Sequence, residues 1–518
     1  MLRLRPTRRM IILYLINPVA LLACSQFVGL ARAQSPGRSW NSSVACCQRL
    51  LSQLGSKVSY PGSSVYISET NGSDSYWSQQ EASILSSCRV TPTSAEDVSV
   101  AVVALNQGNC SFAVRGGGHT PFAGAANIED GVTIDFGSMN QVTVNQNQTI
   151  TSIGAGARWG SVYSTLDAMN LAVSGGRVSD VGVAGLTLGG GLSFFAPQHG
   201  FACDGVMSHQ VVLASGQIVI ANEYENADLH QALKGGSNNF GVVTRFDLKT
   251  FPQGKLWGGL IVLPITAAQQ QFQPLVDFNA ASGAGLDPFA TVINAYVYSN
   301  TTGSLITNFP VYTKPEPFPA ILQNFTNMQP QLLNTLEITN LTTFTDELDG
   351  NEPKGFRQLW ATLTIGNDAE LLSSIFNASD SLANPLLGTV SNLQWALAFQ
   401  AVPMSASAQG ALNGGNVLGI SPSDGNLFIV NLGIQWTEEA DDARLNAAAE
   451  EFLTQATQLA EAKGLLNDFI YLNYALPTQN PLGSYGSENL QKLRDVSAKY
   501  DPGQVFQRLV PGGFKIPG

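Results

Sequence analysis

Three glycine-dense segments in the first half of the chain restrict what it can fold into. Arg115-Gly116-Gly117-Gly118-His119-Thr120 follows the short strand pattern Phe112-Ala113-Val114-Arg115. Gly182-Val183-Ala184-Gly185-Leu186-Thr187-Leu188-Gly189-Gly190-Gly191 is the second, and Leu233-Lys234-Gly235-Gly236-Ser237-Asn238-Asn239-Phe240-Gly241 the third. Runs of glycine permit positive φ and let successive backbone N–H groups converge on one point, making a nest for an anion such as pyrophosphate. A lone glycine loop is most often a turn, and a lone histidine most often a hydrogen-bonded loop residue. A basic residue, a glycine triplet and a histidine together after a strand point further. Neither G-x-x-x-x-G-K-[ST] nor a strand–GxGxxG–helix unit is present, which speaks against P-loop and Rossmann sites. There is no H-E-x-x-H, and four histidines without zinc spacing predict no metal. The absence of G-x-S-x-G argues against an α/β-hydrolase.

Length and charge narrow the partners. A chain of 518 residues has room for two or three domains. Its net charge of −12 is ill suited to nucleic acid or an anionic membrane surface, which call for basic stripes. Arg3, Arg5, Arg8 and Arg9 precede a mainly apolar run from Ile11 to Leu30, and Ala31-Arg32-Ala33 supplies a cleavage site. Residues 1–33 therefore read as a signal peptide, with an uncleaved anchor as the alternative; Asn17 and Pro18 interrupt the run. The expectation is a secreted protein, or one in the lumen of the secretory pathway, with no stable membrane span after cleavage. Sequons at Asn41, Asn71, Asn109, Asn147, Asn300, Asn324, Asn340 and Asn377 suggest a glycan-covered surface. Cys46, Cys47, Cys88 and Cys110 suggest two disulfides tying the N-terminal segment to the first domain. Adjacent Cys46 and Cys47 do not easily pair with each other, so each takes Cys88 or Cys110, in an order that spacing leaves open. Cys203 is left as a buried thiol.

Along the chain, Cys46 to Leu54 reads as a short helix and Ser94-Ala95-Glu96-Asp97 as a helix start. Gln141 to Ile153 alternates as a strand pair, and Trp159 to Met169 returns to helix. Short strands and helices continue to about Phe251. From about Lys255 glycine thins out, and Gly258–Leu263, Ala290–Tyr298, Gln358–Ile365 and Asn426–Gln435 read as strands. Thr437 is expected to cap a helix through Ala462 that ends at Gly464. Asp468 to Tyr474 reads as a strand and Ser487 to Lys499 as an amphipathic helix.

These residues resemble a known family. RGGGHTPFAGAANIEDGVTIDFGSMNQV is similar to the first flavin segment of the berberine-bridge-enzyme-like branch of the vanillyl-alcohol oxidase/p-cresol methylhydroxylase flavoproteins. VGVAGLTLGGGLSFFAPQHGFACDGV resembles its second segment and DLHQALKGGSNNFGVVTRFDL its third; YLNYA and KYDPGQVF resemble its closing elements. The resemblance runs in order from about Cys46 to Lys515. It implies an α+β fold: a two-part FAD-binding domain plus a substrate domain of antiparallel sheet and helices. The corresponding boundaries are a disulfide-tied segment 34–83, the FAD-binding domain 84–254, the substrate domain 255–465, and a C-terminal segment 466–518 returning to the FAD domain.

The resemblance also implies FAD as cofactor, bonded through its 8α-methyl to His119. Many members add a cysteine link; here Gly175-Gly176-Arg177-Val178-Ser179-Asp180-Val181 places Val178 or a neighbour at that position, so a single link is expected. Arg115, Gly116, Gly117, Gly118 and Thr120 would cradle the pyrophosphate. Ser179, Gly182, Gly185, Leu188, Gly190 and Gly191 would line the ring and ribityl chain, Val181 the edge that O2 approaches, and Asn473 would also hold the cofactor. The base falls on Tyr471-Leu472-Asn473-Tyr474. On a strand, residues three apart face opposite ways, so one tyrosine meets the flavin; Tyr474 is the expected catalytic residue and Tyr471 the alternative. A free phenol titrates near 10, so neighbours must favour its ionised form. Trp436 and Gln400 are expected in the cavity wall. The function implied is a monomeric secreted oxidase that takes a hydride from a small alcohol, amine or activated C–H substrate, of the specialised-metabolite kind, and reduces O2 to H2O2. A carbohydrate oxidase would need an open groove lined by Trp360, Trp395 and Trp436. A dehydrogenase using another acceptor, or a flavin carrier without turnover, are the remaining readings.

Overall fold

The computed structural model describes residues 40–71, 76–280 and 287–518. The signal peptide read over residues 1–33 lies outside them, as do the side chains of Asn41 and Asn71.

The first layer begins with the helix Trp40–Leu54, longer than expected, which is riveted by two disulfides. Cys46 bonds to Cys110 and Cys47 to Cys88. Consecutive helix residues point about 100° apart, so one helix can reach two elements at once. Those elements are the end of the helix Ala95–Gly108 and the strand Cys88–Val90. Ser94 caps that helix, its hydroxyl accepting from Asp97 N at 3.3 Å, and Asn109 closes it in the left-handed conformation. Strands Val58–Ser59, Cys88–Val90, Val132–Asp135 and Phe112–Arg115 form a four-stranded sheet in that order, and the last three run parallel. A five-stranded antiparallel sheet follows: Val142–Val144, Ile150–Gly154, Val242–Lys249, Val206–Val212 and Ile218–Asn222. One apolar core joins both sheets through Val98, Leu105, Ile134, Trp159, Val206 and Phe246, and includes Phe506 from near the C-terminus.

A second core lies under a large antiparallel sheet. Its central strands are Ala290–Ser299, Gln394–Val402, Leu427–Trp436 and Arg357–Gly366. Alternation with period two sends Leu363, Leu397, Phe399, Val430 and Leu432 to one face. The helices Phe272–Asn279, Ala369–Ala383 and Asp442–Ala462 cover it with Leu275, Leu371, Ile375, Leu445 and Phe452. Each such buried Leu or Phe contributes about 1.5–3 kcal/mol. Trp395 and Trp436 sit in this core, with Trp395 Nε1 donating to Ser379 Oγ and Trp436 Nε1 to Asp442 Oδ1. They therefore line no groove, and Trp436 is not in the cavity wall.

Two local expectations are corrected. The long helix starts at Asp442 after a 3-10 turn Glu439–Asp441, not at a Thr437 cap. Thr437 is engaged elsewhere: its N–H donates to Ser391 O and its hydroxyl accepts from Asn392. The strand expected over Asp468–Tyr474 is also absent. Only Leu466–Asn467 pairs with the sheet, and Leu472–Tyr474 forms a 3-10 turn. There the chain leaves the sheet to bond the second glycine segment.

Among the described residues no helix is long and apolar enough to cross a membrane. Asn109, Asn147, Asn300, Asn324, Asn340 and Asn377 are all exposed. Cys203 is a buried free thiol, and burial pushes it well above its ordinary pKa.

Candidate active site

The three glycine segments, distant in sequence, meet in one place. Gly117 and Gly182 touch backbone to backbone: a Cβ on Gly117 would sit 2.4 Å from Gly182 N. Gly116 packs on Ala155 O and Ala184 Cβ, whereas a Cβ on Gly185 would meet nothing within 4 Å. The third segment hangs on the second, since Gly235 N and Ser237 N both donate to Leu188 O at 3.1 Å. Gly190 and Gly191 adopt φ of 105° and 87°, and the space a Cβ would need at Gly191 is filled by Leu186 and Ala202. At Gly117 and Gly182 glycine is required because backbone occupies the place of a side chain, and at Gly190 and Gly191 because φ is positive.

His119 lies at the rim of this cradle. Trp77 stacks on its ring, with centroids 4.4 Å apart and 10° between planes, and Trp360 approaches at 5.7 Å. Its Nε2 is buried without a hydrogen-bond partner among the described residues. Burial first, then the cations Arg158 and Lys354, push the imidazole down to about 3, so the ring is neutral with a lone pair available. Arg158 and Lys354 are themselves held by Asp180, at 3.1 and 2.8 Å.

The guanidinium of Arg115 is only 4% exposed; it pairs with Asp135 Oδ2 at 2.7 Å and lies over the Tyr76 ring. Its side chain thus braces the loop from behind, and what it offers the cradle is backbone. Thr120 is half-buried in the loop after His119. Ser179 is fixed by Gly160 N donating to its carbonyl and by its own N–H donating to Thr345 O; Val181 O accepts from Trp159 N. Both act here through backbone that shapes the approach to Gly182.

The C-terminal turn closes the cradle. Asn473 Nδ2 donates to Leu186 O at 3.0 Å and to Tyr471 Oη at 3.1 Å, and Leu192 N donates to the same phenol at 2.9 Å. Burial, with Tyr474 alongside, drives the Tyr471 phenol upward, against the opposing pull of Asn473, Leu192 N and Arg177. Tyr471 is thus a buried, hydrogen-bonded anchor. Because the segment is a 3-10 turn, the two tyrosines do not point to opposite faces: their rings meet edge to face at 4.9 Å and 89°. Tyr474 is half-buried and reaches the open face of the large sheet, edge-on to Trp360 at 5.2 Å.

That face was legible only in part. Gln400 Nε2 and Oε1 lie within 3.4 Å of Tyr474 Oη, in keeping with a wall position. Arg177, which the sequence reading passed over, donates from Nη2 to Tyr474 Oη at 2.9 Å and also to Gln400 Oε1. Its backbone is fixed because Gly175 and Gly176 press on Trp159, where a Cβ would meet ring atoms at 2.1 and 2.4 Å. The only sequence signal was that glycine pair. Register adds the rest. Trp360 stands opposite Gly433, which stands opposite Ala396; Thr362, Asn431, Ala398 and Ala295 form the next row. Small residues therefore leave space over the sheet beside Trp360 and Tyr474.

The residues present fit FAD: a backbone cradle that Cβ atoms would fill, a half-buried neutral imidazole at its rim whose Nε2 is buried and unsatisfied, and a phenol on the facing wall. Among the described residues no group of three or more His, Cys, Asp or Glu is placed to hold a metal.

Comparison with known proteins places the chain among flavoproteins. The family described as FAD binding domain matches residues 86–222. The FAD-dependent monooxygenase tpcD of Cochliobolus heterostrophus is 38% identical, over 85% of this chain and 87% of its own length. Two solved structures share the fold. 6-Hydroxy-D-nicotine oxidase from Arthrobacter nicotinovorans superposes with a TM-score of 0.74 at 18% identity, covering 90% of this chain and 98% of the other. Glucooligosaccharide oxidase from Acremonium strictum, described with a 6-S-cysteinyl, 8α-N1-histidyl FAD, has a TM-score of 0.69 at 20% identity, covering 92% and 98%. The chain belongs to the family of FAD-dependent monooxygenases that its 38% identical relative represents, and is an FAD-linked oxidoreductase.

Proposed function

We propose that the protein is a secreted, glycosylated, monomeric oxidase that holds FAD by one covalent bond to His119 and oxidises a small organic molecule over the sheet face. The observation that carries this reading is Tyr474, whose hydroxyl receives Arg177 at 2.9 Å on the wall facing the glycine cradle. Bound FAD supplies the two-electron acceptor, and O2 restores it, so that the donor loses two hydrogens and O2 becomes H2O2. Tyr474, having given its own proton to solvent, takes the proton from the donor's O–H, N–H or activated C–H as a phenolate that the Arg177 guanidinium stabilises. Gln400 orients the same hydroxyl. Tyr471 and Asn473 fix the turn that carries it. The backbone of Gly116, Gly117, Gly118 and Thr120 would hold the pyrophosphate, and Ser179, Val181, Gly182, Gly185 and Gly190 would line the ring. Val178 or a neighbour stands where a second link would need a thiol.

The domain limits proposed with this reading are 84–254 and 466–518 for cofactor and 255–465 for substrate. The carbohydrate alternative loses support, because Trp395 and Trp436 are core residues and Trp360 alone reaches the face. The name monooxygenase carried by the 38% identical relative favours a second reading, in which oxygen from O2 enters the product.

The test begins with the tryptic peptide Gly116–Arg158, which contains His119 as its only histidine. It should carry the flavin mass, and acid precipitation of His119→Ala should release any colour into solution. Colour staying with that mutant polypeptide would remove the assignment. Turnover under 18O2 should give label-free product and one H2O2 per substrate; label in the product would establish the second reading instead.

A further inference from the structure

The arginines that frame the cradle are each met by a carboxylate: Arg89 and Arg115 by Asp135, and Arg158 by Asp180. Arg177 is not. Among the described residues it makes no ion pair, and its hydrogen bonds go from Nη2 to two uncharged side chains, Gln400 and Tyr474. Nη1 and Nε meet no partner there. A half-buried guanidinium without a counter-charge is costly, because water is lost and no anion replaces it. It is also not a swinging surface side chain: Gly175 and Gly176 are pressed on Trp159, and Tyr163 Oη donates to Gly176 O at 2.7 Å. The charge is thus held in place at the edge of the open sheet face. The space beside it is floored by Ala295, Ala396, Ala398 and Gly433 and bounded by the rings of Trp360 and Tyr474. Small floor residues between aromatic edges suit a flat, conjugated molecule.

We infer that Arg177 is the anion-recognition residue of this site, and that the substrate is a small aromatic or conjugated molecule presenting an ionised oxygen (a carboxylate, phenolate or enolate) to its guanidinium. The inference rests on the reading of this face as the substrate site. It does not require Tyr474 to be the base. While Tyr474 is the neutral phenol that donates to Gln400 Oε1, the charge is met only by a bound anion, so a neutral isostere leaves the guanidinium desolvated and unpaired. Discrimination follows from that difference, and Arg177 selects the substrate's charge state as well as supporting Tyr474.

The test is a calorimetric titration of the purified holoenzyme with 1-naphthoate and with 1-naphthamide, which share shape and differ in charge. The wild type should bind the anion on the order of tenfold more tightly, a gap that narrows at high salt. Arg177→Gln and Arg177→Met should weaken naphthoate by about that factor while changing naphthamide less than about twofold. Tyr474→Phe should retain the preference, which separates this role from proton transfer. A wild type without preference for the anion overturns the inference, as does an undiminished preference in either Arg177 variant. Loss of the preference in Tyr474→Phe also overturns it, by assigning the counter-charge to that phenol. The wild-type comparison holds even where a variant fails to fold. Failure of the Tyr474 mechanism is read separately, in reduction kinetics that these titrations do not involve.

Discussion

At the glycine cradle, an added methyl on Gly117 would stand 2.4 Å from a backbone nitrogen; on the sheet face opposite, one on Gly433 would stand 3.3 Å from the Trp360 indole nitrogen. The first wall is main chain against main chain. The second is side chains on a regular ladder, where a neighbour can give by a few tenths of an ångström. A wall of the first kind has one solution and suits a cofactor that never changes. A wall of the second kind can be re-cut residue by residue, which suits a substrate that differs between relatives.

That contrast can be broken by substitution. Gly117→Ala should be the most severe change: backbone cannot retreat as a side chain can, so a cost of about 3 kcal/mol is expected, with loss of soluble flavin-loaded protein. Normal yields of yellow protein would show that the cradle is not close-packed. Next, Tyr474→Phe should keep the flavin but slow its anaerobic reduction by about 10²–10⁴-fold, measured by stopped-flow bleaching. An unchanged rate would move the proton-accepting role elsewhere.

A smaller effect tests the buried support behind the first wall. Glu81 accepts from Ala126 N at 2.7 Å, and burial pushes its carboxyl up to about 7. A raised acid favours the folded state while protonated, so that stability is full below about 4.5 and lost as pH rises to about 7. Glu81→Gln should remove this slope, leaving a variant whose melting temperature exceeds wild type by a few °C at pH 8 but not at pH 4.5. Parallel melting profiles would refute it. Mildest of all, Gly433→Ala should preserve flavin content and melting temperature while shifting KM several-fold. Lost flavin there would mean that the two walls are not independent.

The same contrast explains what could be read in advance. Gly117, Gly182 and Gly191 are legible because no other residue tolerates their contacts, so the motif survives as letters. Cys46 and Cys47 were legible as partners of Cys88 and Cys110, but the order depended on how the helix Trp40–Leu54 is rotated. Tyr471 and Tyr474 were found by motif, yet their geometry was misread. Local alternation suggested a strand, and long-range bonds from Asn473 to Leu186 O and from Leu192 N to Tyr471 imposed a turn. Arg177 was invisible for a related reason. Its partners Gln400 and Tyr474 lie 223 and 297 positions away, and only the folded sheet brings them together.

The contact between Gly512 and the loop at Gly124 has a further consequence. A Cβ on Gly512 would meet Gly124 O at 2.0 Å, and Phe514 packs on Phe122, so the residues just past His119 are backed by a segment made far later. During synthesis the ribosome releases the histidine loop long before its backing emerges. Closure of the cradle is therefore expected to wait for that later segment, and deleting residues 512–518 should yield chains that are translated normally yet stay colourless.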